Sequence, residues 1–166
     1  LESMGQHQRQ PWFGCACCPS NIARIIPSLP GYVYAVKDNN VYVNLFMSNT
    51  STLDVKGKKV TIEQTTEYPW NGDIAIKVGA NKAGQWGMKV RIPGWVRNQV
   101  VPSDLYEYSD NLRPQYSIEV NGVKVEGKIE ADGYFTINRK WKKGDVVRVH
   151  FDMEPRTVRA NGMVEA

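Results

Sequence analysis

Tyr116-Ser117-Ile118-Glu119-Val120-Asn121-Gly122-Val123-Lys124-Val125 is the stretch that decides the fold. Apolar and polar residues alternate on both sides of Asn121-Gly122, the dipeptide type that best supplies the two positive-φ positions of a tight hairpin turn. The segment therefore reads as two antiparallel strands. Toward the C-terminus, Tyr134-Phe135-Thr136-Ile137-Asn138 and Asp145-Val146-Val147-Arg148-Val149-His150-Phe151 keep the same period of two around Lys143-Gly144. Toward the N-terminus the period recurs at residues 86–92, 73–78, 60–66, 52–55, 41–46 and 32–36, with turn signals at Pro93-Gly94, Asn71-Gly72, Gly57 and Asp38-Asn39-Asn40. Residues 98–115, with Pro102, Asp104, Asp110 and Pro114, break the rhythm and read as a long loop. Short strands at this spacing predict a mainly β fold, an antiparallel, jelly-roll-like β-sandwich.

Before residue 32 the period is 3.6. Ile22, Ile25, Ile26 and Leu29 follow at i, i+3, i+4 and i+7, the stripe of an amphipathic helix. Pro19 suits the first helical position, Pro27 makes the last turn irregular, and Pro30-Gly31 is expected to stop the helix. Cys18 then falls at about the N-cap, with Cys17 one residue before it. A helix N-terminus carries partial positive charge and free N–H groups, which favour thiolate over thiol.

All three cysteines of the chain lie in Cys15-Ala16-Cys17-Cys18-Pro19-Ser20-Asn21. Three readings of them stand side by side. They can be buried, inert thiols. They can be part of a metal site, although C-x-C-C departs from the usual C-x(2–4)-C spacing of zinc pairs, and the two histidines, His7 and His150, form no matching distant pair. They can include a catalytic thiolate, which needs an activating partner. A disulfide between adjacent cysteines closes a strained ring, and the count is odd.

The run from Gln10 to Arg24, Gln-Pro-Trp-Phe-Gly-Cys-Ala-Cys-Cys-Pro-Ser-Asn-Ile-Ala-Arg, resembles the signature of the β-L-arabinofuranosidase-type glycoside hydrolases, family 127, with family 146 as a relative. Gly31-Tyr32-Val33-Tyr34, Arg91-Ile92-Pro93-Gly94-Trp95, Gly133-Tyr134 and Trp141-Lys142-Lys143-Gly144-Asp145 extend the resemblance over most of the chain. It implies a catalytic (α/α)6 barrel followed by β-sandwich material. Residues 1–30 would then be the end of the barrel domain, 31–160 the sandwich, and 161–166 the start of a continuation. The resemblance also implies that Cys17 is a nucleophile that binds zinc and that Cys18 is a second zinc ligand. The remaining ligands, a Glu and a Cys, and the acid/base Glu would lie upstream. Cys15 matches the motif without an implied role. The intact enzyme would act on an arabinofuranoside-containing glycan with retention, and the chain alone would be inactive and bind zinc weakly.

Composition bounds the rest. The chain has 166 residues and a net charge of +4, with basic and acidic residues interspersed. No basic run or aromatic-basic stripe points to nucleic acid, and no apolar run approaches a membrane span. Leu1-Glu2-Ser3-Met4-Gly5 shows no signal-peptide apolar core. On the resemblance any such signal lies upstream, so cytoplasm and periplasm both stay open. Glu63, Glu67, Asp104, Glu107, Asp132, Asp145 and Asp152 form no local catalytic motif and read as solvated surface acids. His7 reads as an exposed loop residue, and Trp12 as either a sugar-stacking or a packing residue. Trp70, Trp86, Trp95 and Trp141 keep a rival class in view, a non-catalytic carbohydrate-binding module, alongside a purely structural sandwich.

Overall fold

Helical and strand periods segregate in the structure as they do in the sequence. The computed structural model describes residues 8, 14, 15 and 17–164. The expectations for His7 and Trp12 fall outside them. The chain divides into two units, residues 1–32 and 33–166.

In the first unit, α1 spans Cys17–Ser28. It starts slightly earlier than expected, so both Cys17 and Cys18 lie in its first turn. Pro19 is tolerated there because first-turn N–H groups have no intrahelical partner. Pro27 removes one late ladder bond, and the helix closes with Leu29 N–H shared between the carbonyls of Ile25 (3.1 Å) and Ile26 (3.3 Å). Pro30-Gly31 does not end helical structure outright. Pro30 opens a further single turn, α2 (Pro30–Val33), because its fixed φ suits a first helical position.

The second unit holds two main sheets. One has the order β1-β2-β6-β10, with β1 Tyr34–Lys37, β2 Asn40–Val43, β6 Gln85–Arg91 and β10 Tyr134–Lys140. The other has the order β3-β4-β5-β11-β8-β9, with β3 Asn49–Val55, β4 Lys58–Thr66, β5 Asp73–Asn81, β8 Tyr116–Val120, β9 Val123–Lys124 and β11 Val146–Phe151. Pairing is antiparallel except between β2 and β6, which run parallel with Val41 opposite Met88. The architecture is thus the mainly β, antiparallel sandwich that the alternation predicts.

One core joins the two inner faces. Val41, Met88, Val90 and Ile137 come from the first sheet, and Ile62, Ile74, Ile76, Val147 and Phe151 from the second. Each fully buried Ile or Val contributes about 1.5–3 kcal/mol of apolar transfer. Phe46 and Trp95 close the core around Phe151, with ring centroids 5.7 and 5.9 Å from it. A polar tie crosses between the sheets. Buried Gln64 donates from Nε2 to the Tyr34 hydroxyl at 2.8 Å, and that hydroxyl donates to Asn49 Oδ1 at 3.2 Å. Burial pushes the Tyr34 phenol above its ordinary value, against the opposing effect of the hydrogen bonds it accepts from Gln64 and donates to Asn49.

Asn121-Gly122 forms the expected tight turn, with φ of 54° and 79°. Asn121 also docks the hairpin, donating to Asp145 Oδ1 and accepting from Val146 N–H, both at 2.9 Å. This corrects the reading of Asp145 as a solvated acid: only 7% of it is exposed. Burial pushes its pKa up, yet the bonds from Asn121 and the Lys142 N–H, with Arg139 nearby, hold it below the usual carboxylate value.

Residues 98–115 are not all loop. β7 (Tyr106–Tyr108) pairs with β12 (Val158–Ala160) as a small separate ribbon. The exposed, three-residue strands give no alternation to read. Arg156 holds the ribbon instead, its guanidinium 3.4 Å from the Tyr108 ring centroid and bonded twice to Asp110 Oδ1, from Nε at 3.0 Å and from Nη2 at 2.8 Å.

Candidate functional site

The cysteine cluster is built by the start of α1. Cys15 Sγ donates to Cys17 Sγ at 3.3 Å, and the Cys17 and Cys18 sulfurs lie 3.7 Å apart. All three thiols are free and exposed in this chain. Ser20 Oγ donates to the Cys17 carbonyl at 3.1 Å, fixing the first turn beneath the sulfurs.

Sulfur spacing discriminates among the three. Two thiolates at about 2.3 Å from a tetrahedral zinc would be about 3.8 Å apart. The Cys17–Cys18 pair fits that edge, and the Cys15–Cys17 pair at 3.3 Å is too close for it. Two donors do not complete a site. Among the described residues no group of three or more His, Cys, Asp or Glu is arranged to hold a metal ion.

The apolar stripe of α1 is exposed, with Ile25 and Ile26 at 55% and 58%. Among the described residues no helix is long and apolar enough to cross a membrane.

The remaining candidates sort by burial. Trp86 and Trp141 are core residues, Trp95 is half-buried against the core, and Trp70 is 89% exposed. His150 sits on the outer face of the six-stranded sheet, its Nδ1 2.7 Å from Asp73 Oδ1 and its Nε2 3.4 Å from Asp152 Oδ1. The hydrogen bond to Asp73 raises the His150 pKa, against a smaller opposing effect of burial. Glu130 and Asp132 both bond Lys89 Nζ, at 2.7 and 3.0 Å, so Asp132 is a paired acid rather than a merely solvated one. These groupings join residues far apart in sequence, and only the outward register of the strands could have signalled them.

Comparison with known proteins places this architecture among the glycoside hydrolases. Residues 40–153 match the family model described as β-L-arabinofuranosidase, GH127 middle domain, and the chain belongs to that family. The match lies within the sandwich and does not include the cysteines. Longer alignments include a non-reducing end β-L-arabinofuranosidase of Bifidobacterium longum, 32% identical over 169 residues, covering 95% of this chain and 22% of the relative. Among solved structures, a GH127 β-arabinofuranosidase superposes with a TM-score of 0.88 at 60% identity, covering 95% of this chain and 24% of that one. A GH127 β-L-arabinofuranosidase from Geobacillus stearothermophilus gives a TM-score of 0.76 at 33% identity, with 93% and 22% coverage. The chain thus spans less than a quarter of the length of these relatives, whose remaining length is ample for a further domain.

Proposed function

We propose that this chain is part of a zinc-dependent retaining glycosidase acting on β-L-arabinofuranosides, with Cys17 as nucleophile and Cys17 and Cys18 as metal ligands. The observation that carries the reading is the exposed Cys17–Cys18 sulfur pair, 3.7 Å apart at the start of α1, in a chain of this family. Bound zinc would keep the two sulfurs as thiolates at neutral pH.

Cys17 supplies the attacking electron pair. Its Sγ forms a bond to the anomeric carbon as the glycosidic C–O bond breaks, and the departing oxygen takes a proton from an acid contributed elsewhere in the intact enzyme. Water then adds at the same carbon, gives a proton to that group, and Cys17 leaves as thiolate. Two inversions give retention. Cys15, within 3.3 Å, donates its S–H to Cys17 Sγ and so helps to aim that sulfur.

The test is kinetics of the intact enzyme on an aryl β-L-arabinofuranoside. Cys17→Ser should abolish turnover, because a serine hydroxyl stays protonated and ligates poorly. Cys18→Ser should lose activity that excess zinc partly restores by mass action. Cys15→Ser should be milder. Near-full activity of Cys17→Ser would end the thiolate mechanism. The chain alone should show no turnover and less than stoichiometric zinc, because it offers two ligands where a site needs three or four.

A further inference from the structure

The outer face of the six-stranded sheet carries a trough of about 730 Å³. Its shape follows from register. Ala75 on β5 lies between Thr65 on β4 and Arg148 on β11, and Ser117 on β8 faces His150 on β11. Small side chains therefore form the floor, while Arg148, His150, Asp73 and Glu119 rise around it. A second hollow of about 520 Å³, walled by Trp70, shares Asn71, Asp73 and His150 with the trough.

We propose that this trough binds a neutral oligosaccharide, with Trp70 as the stacking platform and Asp73, Glu119, Arg148 and His150 as the polar contacts. Trp70 is the most exposed large apolar side chain among the described residues, at 89%, and an indole in water beside a polar hollow is the arrangement that the C–H face of a sugar covers. The charge pattern selects the ligand class. Glu67, Asp73 and Glu119 supply carboxylate acceptors to hydroxyl donors, and Arg148 supplies donors to hydroxyl acceptors. A polyanion such as nucleic acid or an acidic glycan would meet three carboxylates, whereas a polyol satisfies both signs.

The polar groups are also partly pre-set. Asn71 donates to Glu67 Oε2 at 3.0 Å, and His150 is held between Asp73 and Asp152 at 2.7 and 3.4 Å. Binding therefore freezes fewer rotamers than it would on unlinked side chains. The choice of arabinose-containing glycans as first ligands rests on the proposed glycosidase function; the trough itself does not.

The full chain should be titrated calorimetrically with linear arabino-oligosaccharides and, separately, with xylo- and gluco-oligosaccharides, with tryptophan fluorescence in parallel. Saturable binding to a neutral oligosaccharide is expected. Trp70→Ala and Arg148→Ala should each weaken it by about tenfold or more with unchanged thermal stability. Cys17→Ser should bind like wild type, which separates this result from the fate of the cysteine mechanism. The absence of binding to any neutral glycan, or binding indifferent to both trough substitutions, would overturn the proposal. So would shielding of Trp70 from acrylamide quenching in the unliganded intact enzyme, which would make this face a contact between domains.

Discussion

Trp141 donates its indole N–H to the backbone carbonyl of Trp86 at 2.9 Å, and the two rings lie 5.3 Å apart at 34°. Asn81 completes the unit. Its Nδ2 donates to the Trp141 carbonyl at 2.8 Å, and its Oδ1 accepts from Trp86 Nε1 at 3.3 Å and from the Ala83 N–H at 3.0 Å. Asn81→Ala should strand polar groups beside a fully buried Trp86 and cost about 2–3 kcal/mol. Asn81→Asp should also destabilise, because a carboxylate cannot donate to the Trp141 carbonyl. Urea unfolding with near-ultraviolet circular dichroism checks both; a loss under about 0.5 kcal/mol, the range of ordinary surface changes, would refute the account.

Lys89 is the buried member of its cluster, with 11% of its side chain exposed against 41% for Glu130 and 43% for Asp132. The bonds that Lys89 donates to Glu130 and to Asp132 hold its pKa well above the ordinary value, and Lys89 in turn lowers both acids. Removing the two carboxylates should therefore hurt more than removing the lysine. Glu130→Gln with Asp132→Asn leaves an ammonium in poor solvent, an expected cost of about 3 kcal/mol, whereas Lys89→Met leaves acids that water can reach, about 1 kcal/mol. Because the acids' folded pKa values are depressed, their contribution holds above their unfolded values and fades as pH falls through the folded ones. Denaturation midpoints of the two variants should rank in that order at pH 7.

His150 gives a pH dependence of the opposite sense. Its folded pKa is raised, so the stability it contributes through Asp73 is complete below the unfolded value of about 6.5 and is lost as pH rises through the folded value. Half of the side chain is exposed, so screening keeps the effect below about 1 kcal/mol. Wild type should exceed His150→Gln in melting temperature at pH 5.5, and the gap should shrink by pH 8.5. A gap that widens with pH would refute the pairing.

Gly72 leaves no room for a side chain: a Cβ there would overlap the carbonyl oxygen of Phe151, whose N–H donates to the Gly72 carbonyl at 3.1 Å. Gly72→Ala should separate the start of β5 from the end of β11 and cost about 2–4 kcal/mol, a large loss for so small a change. Gly57→Ala offers a control, since its cost should come from its φ of 73° rather than from collision. Thermal melts of the two compare clash with backbone strain.

Most of the fold was readable because the sandwich writes its inner faces as alternation. Ile74, Ile76 and Val78, or Val147, Val149 and Phe151, announce their strand and its buried side together. The β7–β12 ribbon was not readable, because it depends on one arginine at position 156 reaching Asp110 and Tyr108 rather than on any local pattern. Asp145 was misjudged for a similar reason. A turn acid looks solvated until Asn121, 24 positions earlier in the chain, folds over it. The clustering of the cysteines at a helix start was legible, since adjacent thiols before a helical stripe need no tertiary knowledge to be noticed. The trough was not, since its walls come from four strands and are assembled only by register.

The order of the larger sheet has a temporal consequence. β11 sits between β5 and β8, so among the described residues its last long strand fills a central place rather than an edge. During synthesis, β5 and β8 must wait with bare edges until residue 151 has emerged. Until then each is a template for any passing extended chain. Ribosome stalling or proteolytic clipping shortly before that point would thus yield sticky halves rather than a smaller folded domain.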